Sequence, residues 1–429
     1  MVRQAAIQNR QRLPDETQEN AALLQSTPNF IAYGRFCIRS LSDLKSCKLL
    51  EAQVYEPAGC MELINSTRMV AGCTMGMEPS GRELLVVVVK GTFAIPTEQG
   101  AALKLHAEQL PLVMSDEFHG EPGLSAPKYE VDFAPRKLRC DVLLNGSAHA
   151  PEGKPAERVT VGIRIGNWSK SFAVVGDRFW YSAGGIRSTA PKPFTTMPIS
   201  YDRAFGGSDL RHEDPAQHAA FMFNPSGRGF HKHKIPEWLH ASPLPNTEER
   251  DRAVTSPDGA YRPMAFGPIG RHWEPRYKYA GTYDQKWQDE IFPFLPPDFD
   301  EQYYQAAPPD QQLSKPVGEQ RVTLLNLTED GRRDFLLPHF EAPIHVFPKK
   351  GARENLTAEL DTIVIEPELE RVTMSWRVAR PLKRNIFEIA QVLVGRKGSD
   401  WWQRRDSVSF PIPVVAEPWR APETTGSQV

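Results

Sequence analysis

Proline is unevenly distributed along this chain, and its distribution limits what the middle of the sequence can fold into. Of the 38 prolines in 429 residues, 17 lie between Pro191 and Pro309. Proline fixes φ and has no backbone N–H, so it is excluded from helix interiors and from central strands. We therefore expect neither long helices nor central sheet strands in this third of the chain.

The same segment is rich in aromatic residues, and this argues against disorder. Disordered segments are poor in aromatics because they cannot bury enough apolar surface to offset the loss of chain entropy. The aromatic residues here include Phe194, Tyr201, Phe205, Phe221, Phe223, Trp238, Tyr261, Phe266, Trp273, Tyr283, Trp287, Phe292 and Phe294. The pattern predicts an ordered, loop-rich layer over about residues 190–315 that lies on a scaffold.

Short segments rich in β-branched residues flank this layer and predict the scaffold. Leu84–Phe93 is typical of a buried strand, and Val159–Val175 alternates like a hairpin around the turn Gly166-Asn167. Val131–Leu144 has a similar β pattern. Further strands are predicted at Arg321–Leu327, Asp334–Pro338, Ile344–Phe347, Thr362–Ile365 and Arg371–Val378. The expected fold class is mainly β, an antiparallel sandwich or barrel-like scaffold with the loop layer and a few short helices.

The two ends of the chain are predicted to differ from this β-rich part. Residues 1–60 are a polar extension, with short helices expected at Glu16–Leu24 and Ser40–Val54, and the β-rich domain is expected to cover 61–378. Residues 379–429 are predicted to hold a helix and a basic, aromatic tail that frays after Glu417. The helix is predicted at 386–394, where an apolar stripe follows Asn385 and Glu388, a pair that resembles a capping box.

Charge, hydropathy and cysteine content narrow the function classes. Lys+Arg 51 against Asp+Glu 53 leaves a net charge of -2, which does not favour nucleic acid or anionic membranes. The longest aliphatic run, Leu84–Val89, is far shorter than the roughly 20 residues of a spanning helix, and the N-terminus lacks the apolar core of a secretory signal. We expect a cytoplasmic protein without membrane insertion. Five scattered cysteines with no CxxC pair predict reduced thiols: Cys37, Cys47, Cys60, Cys73 and Cys140.

A search for catalytic or ligand-binding motifs finds little. The chain has no P-loop, no dinucleotide-binding glycine motif and no GxSxG elbow, and Cys140 with His149 is a pair close only in sequence. His231 and His233 would lie on one face of a strand, as metal ligands can, but Arg228, Lys232 and neighbouring Lys234 favour a solvated basic loop. No cofactor and no metal site are predicted.

Two charged groups remain as candidates. Acids in 284–310 could include the carboxylate pair of a carbohydrate hydrolase, although capping and turn roles are favoured for them: Asp284, Asp289, Glu290, Asp298, Asp300, Glu301 and Asp310. A basic run near the C-terminus contains Trp401-Trp402 and could be a solvated face, a protein-binding face or a nucleic-acid site: Arg377, Arg380, Lys383, Arg384, Arg396, Lys397, Arg404 and Arg405.

Seven sequence blocks, in order along the chain, carry a resemblance to a known family. They are VGDRFW (175–180), PFTTMPISYDRAFGG (193–207), NPSGRGF (224–230), LPNTE (244–248), AFGPIGRHWEPR (265–276), AGTYDQKW (280–287) and FPFLPPDFDEQYYQAAPPDQQ (292–312). Together they resemble the type VI secretion effector adaptors or chaperones, a bacterial family long catalogued as a domain of unknown function. The resemblance runs from about Met61 to Val378 and is densest between Asp132 and Gln312.

The resemblance implies a cytoplasmic adaptor that is not an enzyme. Its partners would be a secreted effector, which it holds before secretion, and the trimeric spike protein onto which the effector is loaded; self-association is left open. Such a protein needs aromatic and arginine side chains on stiff loops. The candidate partner-binding residues are Arg203, Arg228, Arg271, His272, Trp273, Arg276, Tyr283 and Trp287. The alternative for each is a structural role, with Arg203 and Arg271 as ion-pair partners of Asp177 or Asp284.

Overall fold

The computed structural model of the chain describes residues 61–316 and 318–407. The predicted helices at Glu16–Leu24 and Ser40–Val54, three of the cysteines (Cys37, Cys47 and Cys60) and the tail after Glu417 lie outside these residues. Within them the protein is mainly β, as predicted from the short β-branched segments.

The elements follow the chain in this order. The strands of the first half are β1 (Glu62–Asn65), β2 (Val70–Met77), β3 (Glu83–Ala94), β4 (Lys104–Leu105), β5 (Glu117–Phe118), β6 (Pro127–Tyr129), β7 (Cys140–Leu144), β8 (Gly146–His149), β9 (Arg158–Ile165), β10 (Trp168–Val175), β11 (Trp180–Ser182) and β12 (Ile186–Ser188). Those of the second half are β13 (Thr196–Ile199), β14 (Phe205–Gly206), β15 (Ser208–Asp209), β16 (Ala219–Ala220), β17 (Arg228–Gly229), β18 (Thr247–Glu248), β19 (Gln312–Leu313), β20 (Arg321–Leu325), β21 (Arg332–Leu336), β22 (Ala342–Pro348), β23 (Glu354–Glu366), β24 (Arg371–Pro381) and β25 (Ile389–Val394). The α-helices are short: α1 (Pro236–Leu239), α2 (Glu274–Tyr277), α3 (Gln285–Glu290) and α4 (Ser399–Ser407).

Among the described residues, ten strands form the larger sheet. Its order is β1-β25-β22-β23-β24-β3-β2, with β7 beside β23, β19 beside β7 and β4 beside β3. All neighbours are antiparallel except two parallel pairs, β1 with β25 and β7 with β23. The end strands β1 and β2 also contact each other, so the sheet curls into a nearly closed, barrel-like shape.

A smaller sheet of five described strands packs against the larger one. Its order is β18-β10-β9-β20-β21, and its centre is the predicted hairpin, in which Gly166 has the positive φ of 55° that the tight turn requires. Val161 and Phe172 from this sheet share one hydrophobic core with Val87 and Val142 from the larger sheet. The two sheets therefore bury a common interior, as the layers of a sandwich do.

The central strand β3 is buried on both faces, which explains its unbroken aliphatic sequence. Leu85, Val87 and Val89 point into the core between the sheets, while the alternate residues of β3 face outward. The outward row begins with Leu84, Val86 and Val88, which pack against Leu112 and Phe133, and continues with Lys90 and Thr92. The outer face of the larger sheet is therefore covered by loops, and part of that covered face is polar.

The helix predicted at 386–394 is wrong. Asn385 does accept a hydrogen bond from the Phe387 backbone N–H at 3.1 Å, but only a 3-10 turn, Ile386–Glu388, follows, and the chain continues as β25. Strand β25 lies between two partner strands, β1 and β22, and four of its six residues are buried, Ile389, Val392, Leu393 and Val394. An apolar run of this kind imitates a helical stripe, and periodicity alone cannot separate the two. Phe387, on the predicted apolar stripe, is 63% exposed.

The predicted strand at Val131–Leu144 is confirmed only in its last five residues, Cys140–Leu144. Residues 131–139 are irregular, and Pro135 within them cannot supply a ladder hydrogen bond. The segment 190–315 has the predicted character: it contains only strands of two to four residues and helices of at most six residues. Part of the segment 190–315, including Phe194, Ile199 and Phe266, belongs to the hydrophobic core that the sheets share, whereas Phe133 of the segment 131–139 packs on the outward row of β3.

Candidate functional site

The segment 190–315, which we call the loop layer, has a small hydrophobic core shared with the chain just before it. Phe205 lies at its centre, fully buried, with T-shaped ring contacts to Tyr261 at 4.9 Å and to Phe221 at 5.1 Å between centroids. The other buried members of this core are Trp180, Leu239, Leu244 and Val254. Several aromatic residues of the segment are therefore buried in the interior of the layer, where they hold its loops together.

Buried side-chain amides hold the backbone of the layer where regular ladders are short. The Asn224 amide donates to the backbone carbonyls of Tyr201 at 2.8 Å and Phe205 at 3.1 Å, and it is fully buried. Gly206 has φ of +150°, and a Cβ there would lie 2.1 Å from the Asn224 carbonyl oxygen. This close approach explains a glycine in the AFGG block, because any side chain would push the two loop segments apart.

Arg203 and Arg228 are brought together by a shared acceptor. The guanidinium of Arg203 donates to the Asn246 side-chain oxygen at 3.1 Å, and Arg228 approaches the same oxygen at 3.5 Å. The Asn246 amide donates to Asp177 at 2.9 Å, so it stands between Arg203 and the aspartate that was predicted as its ion-pair partner. Burial and the charge of Arg203 lower the pKa of Arg228. Both guanidiniums are half-buried and pin three loop segments together.

The next block, residues 271–276, anchors the layer to the chain that covers the larger sheet. Trp273 is fully buried, and Arg276, 2% exposed, donates to Glu130 at 2.6 Å and to the carbonyls of Ile269 and Tyr303. Trp273 and Arg276 are therefore structural residues that hold the loops, and neither side chain is exposed as a contact surface. His272 is half-buried, and burial lowers its pKa.

Arg271 pairs with different acids from the one predicted. It donates to Asp116 at 2.8 Å and lies 3.1 Å from Glu130, whereas Asp284 caps helix α3. Asp116 is 155 residues away from Arg271 in sequence and is brought to it only by the tertiary fold, so the sequence did not indicate this pair. Arg271 thus belongs to a buried charge network with Glu130 at its centre.

Glu130 is surrounded by three cations. Burial alone would raise the pKa of its carboxyl group, but the charges of Arg276, Arg271 and Lys137 lower that pKa to about 2. Lys137 lies 3.7 Å from Glu130 and 2.7 Å from Asp141, which also accepts from Gln305 of the loop layer at 2.8 Å. These paired charges join the outer face of the larger sheet to the layer beside a small apolar contact, in which Leu143 and Val364 of the sheet pack against Ala306 and Ala307.

A cavity of about 210 Å³ opens beside this network, between the larger sheet and the segment 110–132. Lys90 and Asp132 form an ion pair of 2.8 Å in its wall, and Arg377 pairs with Asp361 at 2.6 Å behind it. Other polar residues lining it are Tyr129, Glu130, Lys137, Glu366 and Arg371. Tyr129 donates to Glu366, which in turn accepts from Arg371 at 2.7 Å, so the polar groups of the wall are largely occupied by one another.

Tyr283 and Trp287 belong to a group of aromatic side chains at the surface, which we call the aromatic surface: Tyr283, Trp287, Phe292 and Phe294. The Trp287 ring contacts Tyr283 at 4.7 Å and Phe292 at 5.6 Å between centroids, and its indole N–H donates to the Phe294 carbonyl at 2.9 Å. Phe292 is 65% exposed and Phe294 is 46% exposed. Phe292 and Phe294 were not among the predicted site residues, and only the FPFLPP block in which they lie pointed to them.

Most acidic side chains of 284–310 accept hydrogen bonds or form ion pairs within the protein. Asp284 accepts from the Trp287 backbone N–H at 2.8 Å, and Asp300 accepts from Gln302 in the same way. Asp298 accepts from both the backbone and the hydroxyl of Thr282. Further contacts join Asp289 to Gln285, Glu301 to Arg136, and Asp310 to Arg262 and Lys170. The capping role that the sequence favoured for Asp284 is confirmed.

The basic run near the C-terminus does not form one surface. Arg377 is buried against Asp361 on the outer face of the larger sheet, and Arg380 pairs with Glu354 and Glu388. Trp401 and Trp402 lie on α4 and pack against Phe347, with the Arg405 guanidinium 3.6 Å from the Phe347 ring centroid. Part of the run therefore holds α4 and the sheet in place.

His231 and His233 are engaged within the loop layer. The His231 ring contacts the Arg211 guanidinium, and burial together with that charge lowers the His231 pKa to about 4. The His233 ring lies 3.1 Å from the Gln217 carbonyl. Among the described residues, no three His, Cys, Asp or Glu side chains are grouped as ligands of a metal ion.

The fold and these contacts define a mainly β scaffold whose outer face carries a loop layer held by side chains. The model of a family described as an uncharacterized protein conserved in bacteria, DUF2169, matches residues 80–377, more than two thirds of the chain, and the protein belongs to that family. Comparisons with curated proteins and with solved structures found no match. None of the helices in residues 61–316 and 318–407 has the length and apolar character needed to span a bilayer.

Proposed function

We propose that this protein is a cytoplasmic adaptor, or chaperone, that binds a type VI secretion effector and helps to load it onto the trimeric spike protein. The observation that carries the proposal is the aromatic surface, in which Phe292 is 65% exposed on a layer that is otherwise pinned by buried side chains. Exposed aromatic rings on a preformed support are typical of protein-binding surfaces, because they lose little entropy on docking.

Two further observations support the proposal. The sequence blocks that resemble the adaptor family form the loop layer and its anchors, including the Arg271–Arg276 segment and the aromatic surface. A second exposed apolar group lies in the same layer, where Met222 and Phe223 are each 49% exposed and the Met222 carbonyl accepts from the Glu274 backbone N–H at the start of α2. A protein that binds an effector and a spike needs more than one such surface.

The hydrolase hypothesis draws no support from the contacts of its candidate acids, because Asp284, Asp298 and Asp300 hold local backbone structure. The nucleic-acid hypothesis required the basic run to form one exposed face, and Arg377, at 6% exposure, lies inside the protein. Neither is therefore put forward as a second function. Self-association of the adaptor stays open beside the proposed binding to effector and spike.

The proposal is tested by co-expression with a type VI effector and a spike protein encoded beside the gene of this chain. We expect the tagged protein to retain the effector in moderate salt, and Phe292→Ser to weaken that retention. The matched control is Phe387→Ser, because Phe387 is 63% exposed and lies on the turn between β24 and β25, outside the residues of the loop layer. The adaptor role would be contradicted if the tagged protein retained neither the effector nor the spike protein, and if deletion of its gene left secretion of the effector unchanged.

A further inference from the structure

The aromatic surface is bordered by acidic side chains. Between Gly281 and Asp300 the chain carries five acids and one base, Lys286. The acids nearest in sequence to the exposed rings are themselves exposed: Asp284, Asp289, Glu290 and Asp298. A patch of aromatic rings with a negative border is therefore present on a chain whose net charge is only -2.

Local geometry places the acids beside the rings. The backbone N–H groups of Ile291 and Phe292 both donate to the Trp287 carbonyl at 2.9 Å, so the chain turns back immediately after α3. Asp289 and Glu290 are the last two residues of α3 and lie in sequence between Trp287 and Phe292, whose rings contact each other. Both exposed carboxylates therefore lie within three residues of these two rings.

The aromatic surface is in close contact with a turn of the larger sheet. The Phe294 ring lies against Gly81 in the β2–β3 turn, where a Cβ would be 2.7 Å from the ring and where φ is +81°. The nearest exposed base on that turn, Arg82, is directed to the Leu382 carbonyl at 3.0 Å. The aromatic surface thus rests on the β2–β3 hairpin of the larger sheet, where Arg82 adds one positive charge, so the negative border is the side that carries Asp289 and Glu290.

From this geometry we infer that the aromatic surface binds a basic amphipathic segment of a partner protein, one that pairs apolar side chains with lysines or arginines. Apolar anchors would pack on Trp287 and Phe292, while the cations would face Asp289 and Glu290. This inference rests on the proposed function, since it names the chemistry of the partner at the surface that carries that proposal. A second copy of this chain is the competing occupant.

The test uses the full chain and two labelled peptides of about 18 residues, roughly five helical turns, one built from Leu and Lys and one from Leu and Glu. Fluorescence anisotropy is expected to detect binding of the Leu/Lys peptide and none of the Leu/Glu peptide. Asp289→Lys/Glu290→Lys is expected to weaken binding at least about tenfold, and Phe292→Ser to a similar extent. Raising salt from about 50 to about 300 mM should weaken it as well.

Matched controls are Glu98→Lys/Glu368→Lys and Phe387→Ser, which change exposed residues elsewhere and should leave peptide binding unchanged. Equal binding of both peptides, no binding of either, or no effect of the charge reversal would overturn the inference. A monomer–dimer equilibrium in sedimentation that Phe292→Ser shifts to monomer would also overturn it, in favour of self-association. If the effector is retained in pull-down by the charge-reversed variant as well as by the wild type, the adaptor role stands and this inference fails; if the peptide binds as expected but no effector is retained, the reverse holds.

Discussion

The two sheets and the loop layer lie side by side in this protein but are held together by different interactions. In the sheets, backbone ladders fix the chain and one aliphatic core fills the space between them. In the layer, ladders of two to four residues alternate with long irregular stretches, and buried amides and guanidiniums supply the missing partners. A proline-rich chain can therefore be ordered when side chains replace the hydrogen bonds that proline removes.

The largest expected effect is on the contact that joins the two regions. Phe172 of β10 is fully buried and packs against Phe266 of the layer, with ring centroids 4.6 Å apart. We expect Phe172→Ala to lower the free energy of unfolding by about 3–5 kcal/mol, because it leaves a cavity between them. Urea unfolding followed by circular dichroism measures this. Phe387→Ala, at an exposed ring, should change it by less than about 0.5 kcal/mol.

The second effect is a pH dependence that belongs to the charge network. The folded state holds the Glu130 pKa at about 2, below the ordinary value of 4.5, so this group stabilises the fold above pH 4.5 and loses that contribution as pH falls towards 2. A pKa shift of that size corresponds to a contribution of about 3 kcal/mol to the free energy of unfolding. Urea unfolding at several pH values should show the loss.

Glu130→Gln is the control for that pH dependence. It should be less stable at neutral pH, because Arg271, Arg276 and Lys137 lose their common partner. Its remaining acid sensitivity should be smaller than that of the wild type in the same window. An identical acid profile in both proteins would mean that Glu130 does not link the layer to the sheet electrostatically.

A third, smaller effect is expected from a substitution that weakens the loop layer but not the sheets. Asn224→Ala removes two buried hydrogen bonds within the layer, and we expect a loss of about 2 kcal/mol that opens the layer before the sheets. Limited trypsin digestion should then cut first within 228–234, which holds Arg228, Lys232 and Lys234. The comparison variant is Asn355→Ala in β23, where an exposed bond to His345 is lost and no early cleavage is expected. Simultaneous loss of both regions would contradict the separation.

The smallest effect on stability is expected at the aromatic surface. Phe292→Ser removes an exposed ring, so the free energy of unfolding should change by less than about 0.5 kcal/mol. Its thermal midpoint should match that of Phe387→Ser while its binding of a partner does not. A large fall in the midpoint would mean that Phe292 supports the layer instead of serving as a contact.

The same contrast explains which features could be predicted from the sequence. Strand β3 and the β9–β10 hairpin follow from period-two patterns and a glycine turn, and the order of the loop layer follows from its aromatics. The helix predicted at 386–394 failed because β25 is buried by neighbours on both sides, which a local pattern does not reveal. The acid partners of Arg271 were missed for a related reason, since Asp116 and Glu130 reach it across more than a hundred residues of sequence.

The larger sheet also sets the order in which the protein can be made. Strand β3 ends at Ala94, yet its long antiparallel partner β24 begins only at Arg371, and β1 waits for β25 at Ile389. During translation, the aliphatic edge of β3 therefore leaves the ribosome nearly three hundred residues before the strand that covers it. In a nascent or truncated chain that edge has no strand partner, which is the kind of exposed apolar edge that favours aggregation.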